Sequence, residues 1–74
     1  MSVPLADADG PSTWVVEGMR SRGDLRRELE ALGLVPGTKV LVVRRFRGHL
    51  LVEVEEARYA LGDEVARDVL VRRG

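Results

Sequence analysis

Two valine-rich runs separated by only two residues dominate the middle of this chain. Residues 39–46 (KVLVVRRF) and 49–55 (HLLVEVE) have the composition of β-strands, and residues 47–48 (RG) between them suit a tight turn. In the second run Val52 and Val54 alternate with glutamates, which predicts one buried and one solvated face. The pattern predicts a β-hairpin and commits the chain to antiparallel strands.

Shorter elements flank this hairpin. We expect an irregular lead-in at 1–12, a first strand at 13–17 that stops at Gly18, a fourth strand at 57–61, a helical turn at 62–67 and a closing strand at 68–71. Counting both arms of the hairpin, these are five short strands in 74 residues. A domain this small has little core, and closing its sheet would hide the strand edges. We therefore expect a closed or nearly closed β-barrel.

One short amphipathic helix is expected between the first strand and the hairpin. Leu25, Leu29 and Leu32 recur at i, i+4 and i+7 and share one helical face. Residues 21–24 match the S-x-x-D start of a capping box. Gly33 follows the last leucine, at the position where a left-handed residue commonly ends a helix.

Composition excludes several classes of function. The chain has no cysteine, which removes disulfides, zinc ribbons, iron–sulfur clusters and thiol catalysis. Its single histidine, His49, falls beside the predicted turn, and we expect it to be solvated there rather than catalytic. The longest apolar run, 40–43, is far shorter than the roughly 20 residues that span a bilayer, and no signal peptide is visible. We therefore expect one cytoplasmic domain over 1–74, with no catalytic residue and no cofactor.

Two pairs of acidic residues are candidate metal ligands. Asp24 and Glu28 are spaced i, i+4 on the helix, and Glu53 and Glu55 share a strand face. A tight transition-metal site needs several convergent ligands, often including histidine or cysteine. Solvated acids, with the helix pair complementing the helix dipole, explain these residues better, so we predict no metal site.

A cluster of arginines at 44–47 (RRFR) is the best nucleic-acid signal, because arginines beside an aromatic ring can grip phosphates and stack a base. Twelve basic and twelve acidic residues nevertheless cancel to zero net charge. We expect Glu53, Glu55 and Glu56 to pair with the cluster across the hairpin, and Phe46, like Trp14, to lie in the core. We therefore expect no nucleic-acid binding.

Two longer motifs point to a known family. Residues 29–40 (LEALGLVPGTKV) resemble the R-L-x-x-M-G-L-x-P-G-x-x-V signature of the FeoA family, and residues 60–71 (ALGDEVARDVLV) resemble that family's L-R-x-x-E-A-x-x-I-x-V ending. Within the first motif, 36–37 (PG) suits a type II turn. The chain departs from the family where Glu28 replaces an arginine and where 56–57 (EA) replaces a usual glycine. The resemblance implies a mainly β fold: a small SH3-like barrel of about five strands with one short helix.

The resemblance also implies a function. FeoA proteins are bacterial cytosolic accessories of ferrous iron transport, so the chain is expected to bind the cytoplasmic region of a FeoB-type membrane transporter and to reach the membrane only through that partner. We expect Val35 and Leu50 to be exposed apolar contacts. The full set of expected contact residues is Leu34, Val35, Pro36, Phe46, His49 and Leu50. The alternatives are a free-standing SH3-like domain that acts with an iron-dependent repressor, and a small nucleic-acid-binding barrel.

Overall fold

The computed structural model describes all 74 residues as one mainly β domain. Its elements are β1 (Val3–Pro4), a 3₁₀ turn (Leu5–Asp7), β2 (Ser12–Met19), α1 (Gly23–Ala31), β3 (Lys39–Phe46), β4 (His49–Val54), β5 (Ala57–Gly62), α2 (Asp63–Ala66) and β6 (Val69–Arg73). The six strands pair antiparallel in the order β1-β6-β2-β3-β4-β5. None of the helices is long and apolar enough to cross a membrane.

The sheet differs from the expected barrel in two ways. It has six strands rather than about five, and it is open, because its edge strands β1 and β5 do not pair with each other. The additional strand lies in the expected irregular lead-in, where Val3 and Pro4 pair with Val71 and Leu70. Leu5 follows them and is fully buried. A strand of two residues is too short to show alternation, so the sequence pattern did not reveal it.

The hydrophobic core lies on one face of this sheet and is covered by α1 and the 3₁₀ turn. Leu29 of α1 is buried, while Leu25 and Leu32 pack partly buried against the core, which confirms the predicted apolar face of the helix. The strand residues of the core are Trp14, Val16, Val40, Val42, Leu50, Val52, Val54, Leu61, Val69 and Val71. Trp14 is therefore a core residue, as expected.

The start of α1 differs from its prediction. Ser21 does not cap the helix, because its Oγ donates a hydrogen bond to Oδ2 of Asp68 at 2.7 Å. The N-cap residue is Arg22, which makes no side-chain capping bond. The Ser21 hydroxyl thus binds Asp68, a residue distant in sequence, instead of capping the helix. The capping-box prediction is therefore wrong.

The connection from α1 to β3 follows the sequence motif closely. Gly33 has a φ of +101° just after the helix, as the helix-ending role requires. Gly37 has a φ of +92°, and the Thr38 N–H donates to the Val35 carbonyl at 3.1 Å. These features are those of the predicted type II turn.

The β3–β4 hairpin forms at the expected residues but contains an irregularity in β3. The register shifts between Val42, which pairs with Val52, and Arg44, which pairs with Leu51. Val43 is therefore an extra residue, a β-bulge. A Cβ at Gly10 would lie 2.5 Å from the Val43 carbonyl oxygen, so only glycine allows the lead-in to pass this close to the bulge.

Candidate functional site

The side of β3, β4 and β5 that faces away from the core forms a continuous surface, here called the outer face. Residues directly opposite each other in neighbouring strands share a face. Arg44 pairs with Leu51, which pairs with Ala60 on β5. The outer face consists of Leu41, Arg44, Phe46, His49, Leu51, Glu53, Arg58 and Ala60.

The bulge determines which residues of β3 reach the outer face. Val40 and Val42 are buried, and uninterrupted alternation would continue inward at Arg44 and Phe46. The extra residue at the bulge reverses this phase, so that both residues lie on the outer face. The expectation that Phe46 lies in the core is therefore wrong: its side chain is 38% exposed.

An aromatic stack forms the end of the hairpin. The rings of Phe46 and His49 are stacked, with centroids 4.9 Å apart and an interplanar angle of 11°. The Arg44 guanidinium lies 5.0 Å from the centre of the Phe46 ring, within cation–π range. We call residues 44–49 the β3–β4 tip. It combines an exposed aromatic ring with positive charge.

Arg45 does not belong to this charged surface. Its guanidinium lies 3.0 Å from Oδ1 of Asp63 and 3.6 Å from Oδ1 of Asp9. It also donates hydrogen bonds to the carbonyl oxygens of Ala6 and Ala8. Arg45 thus joins the hairpin to the N-terminal segment and to α2. Within the arginine cluster, Arg45 is structural, whereas Arg44 and Arg47 are exposed.

The expected pairing of the arginine cluster with glutamates on β4 is also wrong. The register places Glu53 opposite Leu41 on one side and Arg58 on the other. Glu53 accepts a hydrogen bond from Nε of Arg58 at 3.2 Å. The exposed arginines of the tip, Arg44 and Arg47, take part in no salt bridge within the chain.

Two of the six expected partner-contact residues are inaccessible. Leu34 is 1% exposed because it lies behind the end of α1 in the core, and Leu50 is fully buried opposite Leu61. The expectation that Leu50 is an exposed contact is therefore wrong. The physical reason is that alternate residues of β4 face the core, and Leu50 lies on the same side of the strand as buried Val52.

The four accessible residues of that set do not form one patch. Val35 and Pro36 are exposed in the turn before β3, whereas Phe46 and His49 lie at its far end. The eight residues of β3, at about 3.3 Å each, separate the two positions by roughly 25 Å. Only the aromatic pair lies on the outer face.

One residue of each acidic pair considered as a metal ligand is engaged in a salt bridge. Asp24 contacts Arg27 at 2.5 Å, and Glu53 contacts Arg58. The structure brings together no group of three or more histidine, aspartate or glutamate residues suited to a metal ion. It also contains no pocket. What the outer face offers chemically is apolar, stacking and cationic contact.

Comparison with known proteins gives a consistent result. The family model for the FeoA domain matches residues 3–73. A crystal structure of an iron uptake regulatory protein, FeoA, superposes with a TM-score of 0.90 at 28% identity, covering 100% of this chain and 99% of that one. No curated protein sequence matches the chain.

More distant structures share the fold. A FeoA-like protein from Clostridium acetobutylicum has a TM-score of 0.87 at 20% identity, with 97% of this chain and 86% of that chain covered. A manganese-dependent transcriptional repressor also has a TM-score of 0.87, at 19% identity. That match covers 96% of this chain but only 40% of the repressor. The same SH3-like fold therefore occurs as one part of a larger metal-dependent regulator.

Proposed function

This chain belongs to the FeoA domain family, and from that membership we propose that it is a non-enzymatic cytoplasmic accessory of bacterial ferrous iron uptake. Its proposed partner is the cytoplasmic region of a FeoB-type transporter. The observation that carries the proposal is the match to the iron uptake regulatory protein across 99% of that protein. The manganese-dependent repressor is 19% identical to this chain, against 28% for the iron uptake regulatory protein, which favours the transport context over the repressor context.

The outer face is the surface that we propose for the partner. Phe46 is one of the few large hydrophobic residues with substantial exposure, and partly exposed Leu41 and Leu51 continue the apolar surface along the sheet. Arg44 and the Glu53–Arg58 pair border it. An apolar centre with a charged rim is the usual anatomy of a protein–protein interface, and exposed aromatic residues often carry most of the binding energy.

Calorimetry tests the proposal. It would measure the binding of the purified chain to the cytoplasmic region of a FeoB-type protein from the same source. Phe46→Asp should weaken binding by about tenfold or more, because it would bury an unpaired carboxylate. Val35→Asp is the matched control: Val35 has the same exposed fraction, 38%, but lies at the opposite end of β3. Its binding should stay close to that of the unmodified chain.

Two outcomes would contradict this assignment. Full binding by Phe46→Asp together with loss by Val35→Asp would move the contact to the turn before β3. No binding by the unmodified chain, together with binding to RNA or DNA that is lost in Arg44→Ala and Arg47→Ala, would favour the nucleic-acid alternative. That affinity should fall steeply with salt, because counterions are released when arginines contact phosphates.

A further inference from the structure

The two edges of the sheet differ in their protection against strand pairing. The β1 edge has only two residues, one of them Pro4, which lacks a backbone N–H. Short edge strands and prolines are common devices that block pairing with another chain. The β5 edge has six residues, no proline and no covering strand.

The direction of the backbone groups on β5 follows from its pairing with β4. The Asp63 N–H donates to the Gly48 carbonyl at 3.0 Å, so Asp63 points its N–H towards β4. Backbone groups alternate in direction along an antiparallel strand. Arg58, Ala60 and Gly62 therefore point their N–H and C=O groups away from the sheet.

The outward groups of Arg58 and Ala60 and the outward N–H of Gly62 are free and accessible. No backbone hydrogen bond outside the β4–β5 ladder involves Arg58 or Ala60, whereas Gly62 is the N-cap of α2 and its carbonyl accepts the first hydrogen bond of that helix. All three residues are exposed, whereas Tyr59 and Leu61 between them are half-buried or buried. The only charged residue of β5 is Arg58, and Glu53 already pairs with it. The β5 edge thus lacks an unpaired charge that would repel another strand.

We propose that β5 pairs antiparallel with β5 of a second copy of this chain, with Ala60 on the twofold axis. This register is self-complementary. Ala60 faces Ala60 of the second copy, whose small side chains allow close approach. Arg58 faces Gly62 of the second copy, which leaves room for its long side chain. Tyr59 faces Leu61 of the second copy, an apolar pair on the opposite side of the strand.

Charge supports a second copy as the occupant of this edge. The chain has zero net charge, so two copies do not repel each other. In the proposed register Arg58 approaches the start of α2 in the second copy, where Glu64 is exposed and engaged in no salt bridge. The contact is short, with a ladder of about four backbone hydrogen bonds, because the Gly62 carbonyl already belongs to α2. It therefore forms a weak, concentration-dependent dimer.

Cysteine cross-linking tests the register directly, because the chain contains no other cysteine. Residues opposite each other in a hydrogen-bonded antiparallel pair have Cα atoms about 5.5 Å apart, which a disulfide can bridge. Ala60→Cys should therefore form a disulfide-linked dimer under mild oxidation. The matched control is Ala31→Cys, also at an exposed alanine but at the end of α1. Equal cross-linking of the two variants would reduce the contact to random collision and overturn the proposal.

A second variant removes the outward N–H without touching the internal ladder. Ala60→Pro leaves the β4–β5 hydrogen bonds intact, because the N–H that it deletes points to solvent. Sedimentation velocity up to about 1 mM protein should show a dimer for the unmodified chain and a monomer for the proline variant. A dimer that persists in Ala60→Pro, or an unmodified chain that stays monomeric throughout, would overturn the proposal. Both measurements use the chain alone, so their result is independent of transporter binding.

Discussion

The two turns of the β3–β4–β5 meander are equally short but differ in backbone and surroundings. The turn after β3 uses Gly48 at φ +85°, where an added Cβ would meet nothing within 4 Å. The turn after β4 has Glu55 and Glu56 at φ +51° and +69°. There the Glu55 carboxylate lies against Gly33, at the end of α1.

This difference indicates that one end of the hairpin is available for contacts with a partner, whereas the other end stabilises the fold. The open turn carries the exposed Phe46–His49 stack, and among the side chains of the tip only Arg45 forms salt bridges or hydrogen bonds with the rest of the fold. The packed turn fixes β4 and β5 against the helix end and tolerates unfavourable backbone angles to do so. Substitutions in the two regions should therefore have different effects on stability.

The largest effect is expected for a matched pair of glycine substitutions. A Cβ at Gly33 would lie 3.2 Å from the buried Val54 side chain, at a φ of +101°, and would also displace the flexible end of Glu55. Gly33→Val should lower the free energy of unfolding by about 3 kcal/mol, since it combines backbone strain with a steric clash. Gly48→Val has only the strain and should cost about 1–2 kcal/mol. Urea denaturation of both variants measures the difference. Equal losses in the free energy of unfolding would show that neither turn is more tightly packed than the other.

Neighbouring arginines of β3 give the next contrast. Arg45→Ala removes the link from the hairpin to Asp63, Asp9 and two carbonyl groups, and should cost about 2 kcal/mol. Arg44→Ala removes only an exposed cation–π contact and should change stability by about 0.5 kcal/mol or less. Thermal unfolding followed by circular dichroism separates the two. A loss for Arg44→Ala as large as that for Arg45→Ala would mean that the exposed side chains of the tip also support the fold.

Arg44 is exposed, whereas Arg45 is bound to other parts of the fold, and this difference could not be predicted from the sequence. Local patterns predicted the apolar helix face, Gly33, the type II turn and the hairpin, because each depends on neighbouring residues. The bulge at Val43 has no such local signal, and the residue that lies against it, Gly10, is far away in sequence. One inserted residue reverses the alternation of the strand, so that Phe46 lies on the outer face and Arg45 on the other side.

The candidate site was predictable only in part for the same reason. Phe46 and His49 were identified because they flank a recognisable turn, and both lie on the outer face. The prediction for Leu50 is wrong because it rests on position beside a turn, whereas alternation along β4 places Leu50 on the same buried side as Val52. The β5 edge gives no signal in a single sequence, since edge position follows from the strand order of the whole sheet.

The strained turn predicts a stabilising substitution. Glu56 has a φ of +69°, which glycine adopts without cost, so Glu56→Gly should raise the free energy of unfolding by about 1 kcal/mol. Arg47→Gly in the other turn has no positive φ to relieve and should be neutral or slightly destabilising. Chemical denaturation of the two variants checks this contrast. No gain for Glu56→Gly would show that a contact of that glutamate offsets its backbone strain.

The smallest effect is expected for the aromatic stack at the tip. Phe46 is 38% exposed, so its contact with His49 excludes little water and should contribute about 0.5 kcal/mol to stability. A double-mutant cycle with Phe46→Ala, His49→Ala and both together measures that coupling. A coupling above about 1.5 kcal/mol would make the tip a structural element and weaken its assignment to partner binding. A small coupling, together with a large loss of partner affinity in Phe46→Asp, would mean that the ring contributes to binding far more than to folding.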